Sequence, residues 1–175
     1  MKTLSHRILV MGVSGSGKSH IGHQLALTLG ATFIDGDDYH SPANVAKMAS
    51  GTPLNDDDRS EWLDSLAALF AKYQAQDASL VLACSGLKKR YRDRLREGDP
   101  GLRILYLEGN RELLLQRLET RAGHFFKGGS MLASQLADLE SPSEDEAFTA
   151  SIALAPKEIV RQFSATLPLP SHSLS

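Results

Sequence analysis

An apolar run, Arg7-Ile8-Leu9-Val10-Met11, ends against a stretch that packs four glycines, three serines and one lysine into the thirteen positions Val10 to Gly22. Within it, Gly12-Val13-Ser14-Gly15-Ser16-Gly17-Lys18-Ser19 fits G-x-x-x-x-G-K-S/T and lies between a strand-like run and a helical pattern, where a phosphate-binding loop has to lie. The glycines permit a tight loop whose N–H groups turn inward as a nest for phosphate oxygens, above the positive end of the following helix. Lys18 is placed to reach the β- and γ-phosphates of a nucleotide, and Ser19 to offer its hydroxyl to Mg²⁺. The competing reading is a glycine-rich turn that only caps a helix, and the complete pattern with both flanks argues against it. The glycines lack G-x-G-x-x-G spacing, which counts against a dinucleotide fold.

Downstream, short β-type runs alternate with longer helical patterns: "ATFID", a polar loop, Asp57 to Gln76, "LVLACS", Lys88 to Arg96, "RILYLEG" and Arg111 to Arg121. "LVLAC" is apolar at every position, as a parallel strand covered on both faces should be. The pattern predicts an α/β protein of the P-loop NTPase fold, with a parallel five-stranded sheet flanked by helices. Ligands of such sheets bind beyond the carboxyl ends of the strands, so the residues after Met11, Ile34, Cys84 and Leu107 should converge on one crevice. With 175 residues and 42% apolar content the chain makes one domain. A formal charge of −2 carries no footprint for nucleic acid or anionic lipid. One cysteine, Cys84, and no apolar run near the roughly 18 residues of a membrane span point to a soluble cytoplasmic protein. The oligomeric state is not legible, and a homodimer is compatible with everything here.

A phosphate loop alone leaves kinases, GTPases and motor ATPases open. The base-reading N-K-x-D-type segment of a GTPase is missing after Leu107, where the chain reads "EGNRELLLQRL". "LVLACSG" ends without the acidic pair of a motor ATPase. Carboxylates stand instead in "FIDGDDYH", at Asp35, Asp37 and Asp38. Asp35 and Asp37 share one side in extended geometry, so one can hold a magnesium-bound water while the other takes the proton of an acceptor hydroxyl. An Asp-rich turn or helix cap is the plain alternative, and Asp38 reads as solvated.

"MGVSGSGKS", "FIDGDDYH", "NVAKMASGTPLNDDDRSEWL", "CSGLKKRYRDRLR", "YLEG" and "RAGHFFKGGSMLASQLADLESP" together resemble the gluconate kinases, small P-loop kinases related to shikimate kinase. The resemblance runs from about Arg7 to about Glu146. It implies ATP-dependent phosphorylation of D-gluconate on its terminal hydroxyl, giving 6-phospho-D-gluconate. Such a substrate needs a cation for its acid end and hydrogen-bonding groups for its hydroxyls. His40, Lys47, Asn55 and Arg59 follow the second strand, and Ser85, Lys88, Lys89, Tyr91 and Arg92 the third. Arg59 matches an arginine that related kinases use for a substrate carboxylate, a bidentate task suited to guanidinium. The alternative is a charged helix start, with Asp56 or Asp57 capping and Arg59 solvated. In "KKRYRDRLR", Tyr91 and Leu95 share a helix face and about half the charge reads as a solvated face, leaving Lys88 and then Arg92 as its substrate candidates.

"LETRAGHFFKGGSM" has the character of a lid, at about residues 121–141, on a single P-loop kinase domain of residues 1–165 followed by a flexible tail over 166–175. Arg121 is expected to swing over the transferring phosphates as a catalytic cation, with Arg117 second to it, and His124, Phe125 and Phe126 to pack the closed lid. The family pattern carries an acidic residue in the last strand before a Pro-x-x-Ile/Val-Val segment, and "SIALAPKEIV" has none. Adenine contact through the Ala155-Pro156 backbone is compatible with this, and the choice between ATP and GTP stays open. A shikimate-kinase-like enzyme is disfavoured because Ser85-Gly86-Leu87-Lys88 stands where that relative has a glycine triplet. A nucleotide switch without turnover has no use for the acceptor base that Asp37 supplies.

Overall fold

Strand β1 (Arg7–Met11) runs through the middle of the sheet because it is apolar on both faces: Ile8, Leu9 and Val10 are fully buried. The computed structural model describes residues 4–122 and 128–168, with the side chains of 119–131 outside that description. After β1 come α1 (Lys18–Leu29), β2 (Thr32–Asp35), a 3₁₀ turn (Gly36–Tyr39), α2 (Pro42–Ala49), α3 (Asp56–Ala75) and β3 (Leu80–Ala83). Then follow α4 (Lys89–Gly98), β4 (Arg103–Glu108), α5 (Arg111–Ala122), α6 (Gly128–Asp138), β5 (Phe148–Ser151) and α7 (Pro156–Ser164). The five strands are all parallel in the order β2-β3-β1-β4-β5, with Leu9 in register with Leu82 on one side and Ile104 on the other. This is the expected parallel sheet flanked by helices.

The connections set the crevice. The chain leaves β1 toward β2 and leaves β3 in the opposite direction toward β4, so the neighbouring carboxyl ends of β1 and β3 part at a switch point. Two elements differ from the sequence reading. The polar loop after β2 contains α2, which begins where Ser41 accepts from the Asn44 amide and Pro42 takes the first turn. The last strand is Phe148–Ser151 and shares only Ser151 with the "SIALAP" segment, because a four-residue edge strand leaves little periodicity to read.

Helix α3 starts with a capping box in which the Asn55 side chain and Asp58 satisfy each other's backbone amides, so neither Asp56 nor Asp57 is the cap. It buries Trp62, Leu63, Leu66, Ala67 and Phe70 at helical spacing and packs against α4. A Cβ at Gly98 would sit 2.2 Å from the Ala67 carbonyl oxygen, so the end of α4 can meet α3 this closely only with glycine there.

Arg92 is a correction to the sequence reading. Its guanidinium is 1% exposed, donates to the Gly86 carbonyl at 2.7 Å and pairs with Glu146 at 2.7 Å, while Arg96 reaches the same carboxylate at 2.6 Å. It ties the approach to β5 onto α4 and does not line the crevice. Burial pushes the Glu146 carboxyl up, but the bonds from Arg92 and Arg96 outweigh it and hold the group below its ordinary value of 4.5. A carboxyl more acidic in the folded chain stabilises fully above that ordinary value and loses its contribution as pH falls through the lowered one. Glu146→Gln should therefore cost about 3 kcal/mol at pH 7, the low end for breaking a buried pair, and flatten the acid limb of stability measured by thermal melts at several pH values. An unchanged acid limb would show that the pair contributes nothing.

Candidate active site

The loop after β1 takes its shape from glycine. Gly15 and Gly17 have φ of 87° and 89°, left-handed values that side chains other than glycine rarely adopt. Gly17 gives α1 no side-chain cap, which suits a helix start that receives an anion. The loop is tight: a Cβ on Gly12 would lie 2.6 Å from the Ser16 hydroxyl. Ser16 is fully buried; its amide donates to the Val13 carbonyl at 3.2 Å, while its hydroxyl has no hydrogen-bond partner among the described residues. Lys18 Nζ donates to the Val13 carbonyl at 3.3 Å, folding its ammonium over the loop. Ser19 Oγ donates to Asp35 Oδ2 at 3.1 Å, which brings together the two residues assigned to the metal from sequence.

At the end of β2 the chain does not stay extended. Asp35 caps the 3₁₀ turn, accepting the Asp37 amide at 3.0 Å with its second oxygen, so the helix-cap alternative holds for Asp35. Asp37 therefore reaches the crevice through the turn and not by strand alternation. Its side chain is 69% exposed to the crevice mouth, yet the surrounding walls thin the water around it and push its carboxyl above the ordinary range, with the Lys18 ammonium pulling the other way. Asp38 is exposed, as expected. Beside Asp37, His40 stacks on Trp62 with ring centroids 4.2 Å apart, and burial lowers its pKa, which favours the neutral imidazole at pH 7. Trp62 is itself pinned by its indole N–H donating to the Gly36 carbonyl at 2.7 Å.

Arg59 is 8% exposed and not solvated. Its guanidinium donates to the Tyr91 hydroxyl at 2.9 Å and lies 3.6 Å from Asp138 of α6. Lys18, Asp37, His40, Arg59 and Ser85 all line one cavity of about 160 Å³, with Ser14 at its phosphate end. That is below the roughly 300 Å³ at which drug-sized pockets begin, so its occupant is small. A larger hollow of about 590 Å³ lies at the opposite end of β4 and β5, near Arg103 and Glu144, away from every group of the phosphate loop.

Other candidates fall elsewhere. Lys47 pairs with Asp58 at 2.6 Å, and Lys88 with Asp56 at 3.4 Å over the Tyr91 ring; neither lines the cavity. Arg90 and the Tyr91 hydroxyl both reach Asp56, and Arg94 pairs with Asp64 and Glu97, so the charge of "KKRYRDRLR" is matched within the protein. Arg117 donates to the Ile152 carbonyl, committing its guanidinium to the segment that follows β5. The side chain of Arg121, with His124, Phe125 and Phe126, lies outside the described residues. Sequence reasoning missed Trp62, Ser134 and Gln135 in the cavity wall. All three lie inside the stretches that carry the family resemblance, but no residue type there announces a site; the i, i+3 spacing of Gln135 and Asp138 on one helix face was the further trace.

Strand order, phosphate loop and a small cavity with a carboxylate and a buried guanidinium place the chain among the P-loop kinases that act on small molecules. A family described as an AAA domain matches residues 8–142. The chain is 50% identical over 142 residues to the thermoresistant gluconokinase of Escherichia coli (strain K12), covering 81% of this chain and 80% of that protein. It is similar to the crystal structure of a gluconokinase from Sinorhizobium meliloti 1021, at 42% identity and TM-score 0.84 over 94% of this chain and 92% of that one. The APS kinase of Mycobacterium tuberculosis, in complex with AMPPNP and APS, shares the fold at 17% identity and TM-score 0.67, over 94% and 98% of the two chains. The chain belongs to the gluconokinase family.

Proposed function

We propose that this chain transfers the γ-phosphoryl group of ATP to the terminal hydroxyl of D-gluconate, giving 6-phospho-D-gluconate and ADP. The observation that carries the proposal is the cavity wall itself, where Lys18, Asp37 and Arg59 face one volume too small for a large acceptor. Arg59 holds the carboxylate of the sugar acid, its guanidinium aimed by Tyr91. His40 and Ser85 offer hydrogen bonds to the hydroxyls between the two ends. That arrangement leaves the far hydroxyl near Asp37, which accepts its proton as the oxygen attacks phosphorus. Lys18 and the loop amides hold the charge that spreads over the phosphoryl oxygens. Ser19 and Asp35 fit Mg²⁺, directly or through water, and the ion would supply further neutralisation of the phosphate oxygens when bound. Arg121 is assigned to the transferring phosphates, Arg117 to the nucleotide side near Ile152, and the reaction to the cytoplasm.

ADP release measured against a panel of sugar acids, shikimate and uncharged polyols tests the substrate. The sharper test is Arg59→Lys, which keeps the charge and loses the fork. The loss should be roughly 1.5–3 kcal/mol, read as a raised KM for gluconate with the ATP KM unchanged, and discrimination against sorbitol should fall. A raised ATP KM with an unchanged gluconate KM would move Arg59 to the nucleotide side.

A further inference from the structure

Helix α6 carries two acceptors on one face, three residues apart, and both are bound to donors that the reaction needs. Gln135 Oε1 accepts the backbone N–H of Ser14 at 2.6 Å, an amide of the phosphate-binding loop. Asp138 Oδ2 lies 3.6 Å from Arg59 Nη1, the guanidinium assigned to the substrate carboxylate. The chemistry corresponds at each end: a carbonyl oxygen stands where a phosphate oxygen would be held, and a carboxylate stands where a sugar-acid carboxylate would be held. Both side chains are half-buried, and Gln135 lines the cavity itself.

The helix is held in reach by contacts that do not involve either ligand. Leu132 is fully buried in the core, and just past the helix the Glu140 amide donates to the Leu87 carbonyl at 2.7 Å while the Glu140 carboxylate accepts the Lys89 amide at 2.8 Å. A tethered acceptor competes at high effective concentration, because its arrival costs no translational freedom.

We infer that Gln135 and Asp138 are built-in competitors that occupy the nucleotide and sugar-acid positions and set the affinity for both substrates. A ligand binds to the extent that its own oxygens outmatch these acceptors, so an anionic phosphate or a bidentate carboxylate displaces them while a neutral hydroxyl does not. The nucleotide arm stands on the phosphate loop alone; the Asp138 arm rests on the assignment of Arg59 above.

Calorimetric titration of the full chain with AMPPNP and, separately, with gluconate tests the inference. Gln135→Leu should tighten AMPPNP about 3- to 10-fold and leave gluconate unchanged, and Asp138→Asn should tighten gluconate by a similar factor and leave AMPPNP unchanged. Gln135→Glu should weaken AMPPNP, since a carboxylate beside Lys18 holds the loop amide harder. Thermal melts check the fold, with Gln135→Ala and Asp138→Ala replacing any variant that melts early. Unchanged or weaker AMPPNP binding in Gln135→Leu would overturn the nucleotide arm, and unchanged or weaker gluconate binding in Asp138→Asn would overturn the other. If Arg59→Lys also leaves gluconate binding unchanged, the fault lies in the assignment of Arg59; if Arg59→Lys weakens gluconate, it lies in the competition.

Discussion

Asp37→Asn should lower kcat by about 10²- to 10⁴-fold while AMPPNP affinity stays near that of the unaltered chain, because the amide keeps the shape of the carboxylate and loses only its basicity. The pH profile carries the sharper signature. The crevice raises the Asp37 carboxyl above its ordinary range, so activity should fall on the acid side as that group takes up a proton, and the remaining activity of the variant should lack that limb. The sign for stability is opposite to that of Glu146. A carboxyl that is a weaker acid when folded destabilises the charged native state above its raised pKa, and stability recovers as pH falls through it. Asp37→Asn should therefore melt no lower than the unaltered protein at pH 7. A variant that melts lower and keeps its acid limb would make Asp37 a structural residue. Asp35→Asn, by contrast, should raise the magnesium requirement, since Asp35 lies against Ser19; exchanged phenotypes would exchange the two roles.

Lys18→Ala should lower kcat by on the order of 10²-fold or more with the fold intact. The lysine meets the resting loop at the Val13 carbonyl, 3.3 Å away, and the loop is shaped by Gly15, Gly17 and the buried Ser16. Its removal therefore takes away charge stabilisation of the transition state without unmaking the loop. Single-turnover kinetics together with a thermal melt separate the two effects, and near-normal turnover would sink the assignment.

The phosphate loop and its place in the sheet were legible in the sequence because their causes are local. Left-handed glycines, an inward row of amides and a lysine at a set offset are chemistry carried by consecutive residues, and an unbroken apolar strand such as Leu80–Ala83 announces burial on both faces. Asp37 lines the cavity, but not for the reason the sequence suggested. The sequence suggested alternation along an extended strand, whereas the carboxylate is turned into the crevice by a 3₁₀ turn that Asp35 caps.

The cations after β2 and β3 were a different matter. Sequence put Arg59 first for the carboxylate, by resemblance, and Lys88 and then Arg92 after it, but could not see what surrounds them, because the environment of a long side chain is made by segments distant in the chain. Arg59 and Arg92 look alike in sequence, each beginning a charged helix, and both are buried. Glu146, 54 positions away, takes Arg92 into the scaffold, while Tyr91 and Asp138 turn Arg59 toward the cavity. A guanidinium serves whichever carboxylate the fold delivers to it, and only tertiary packing decides which that is. The same holds for Gln135: an ordinary polar residue on a helix acquires a role when its amide oxygen reaches a loop N–H 121 residues away.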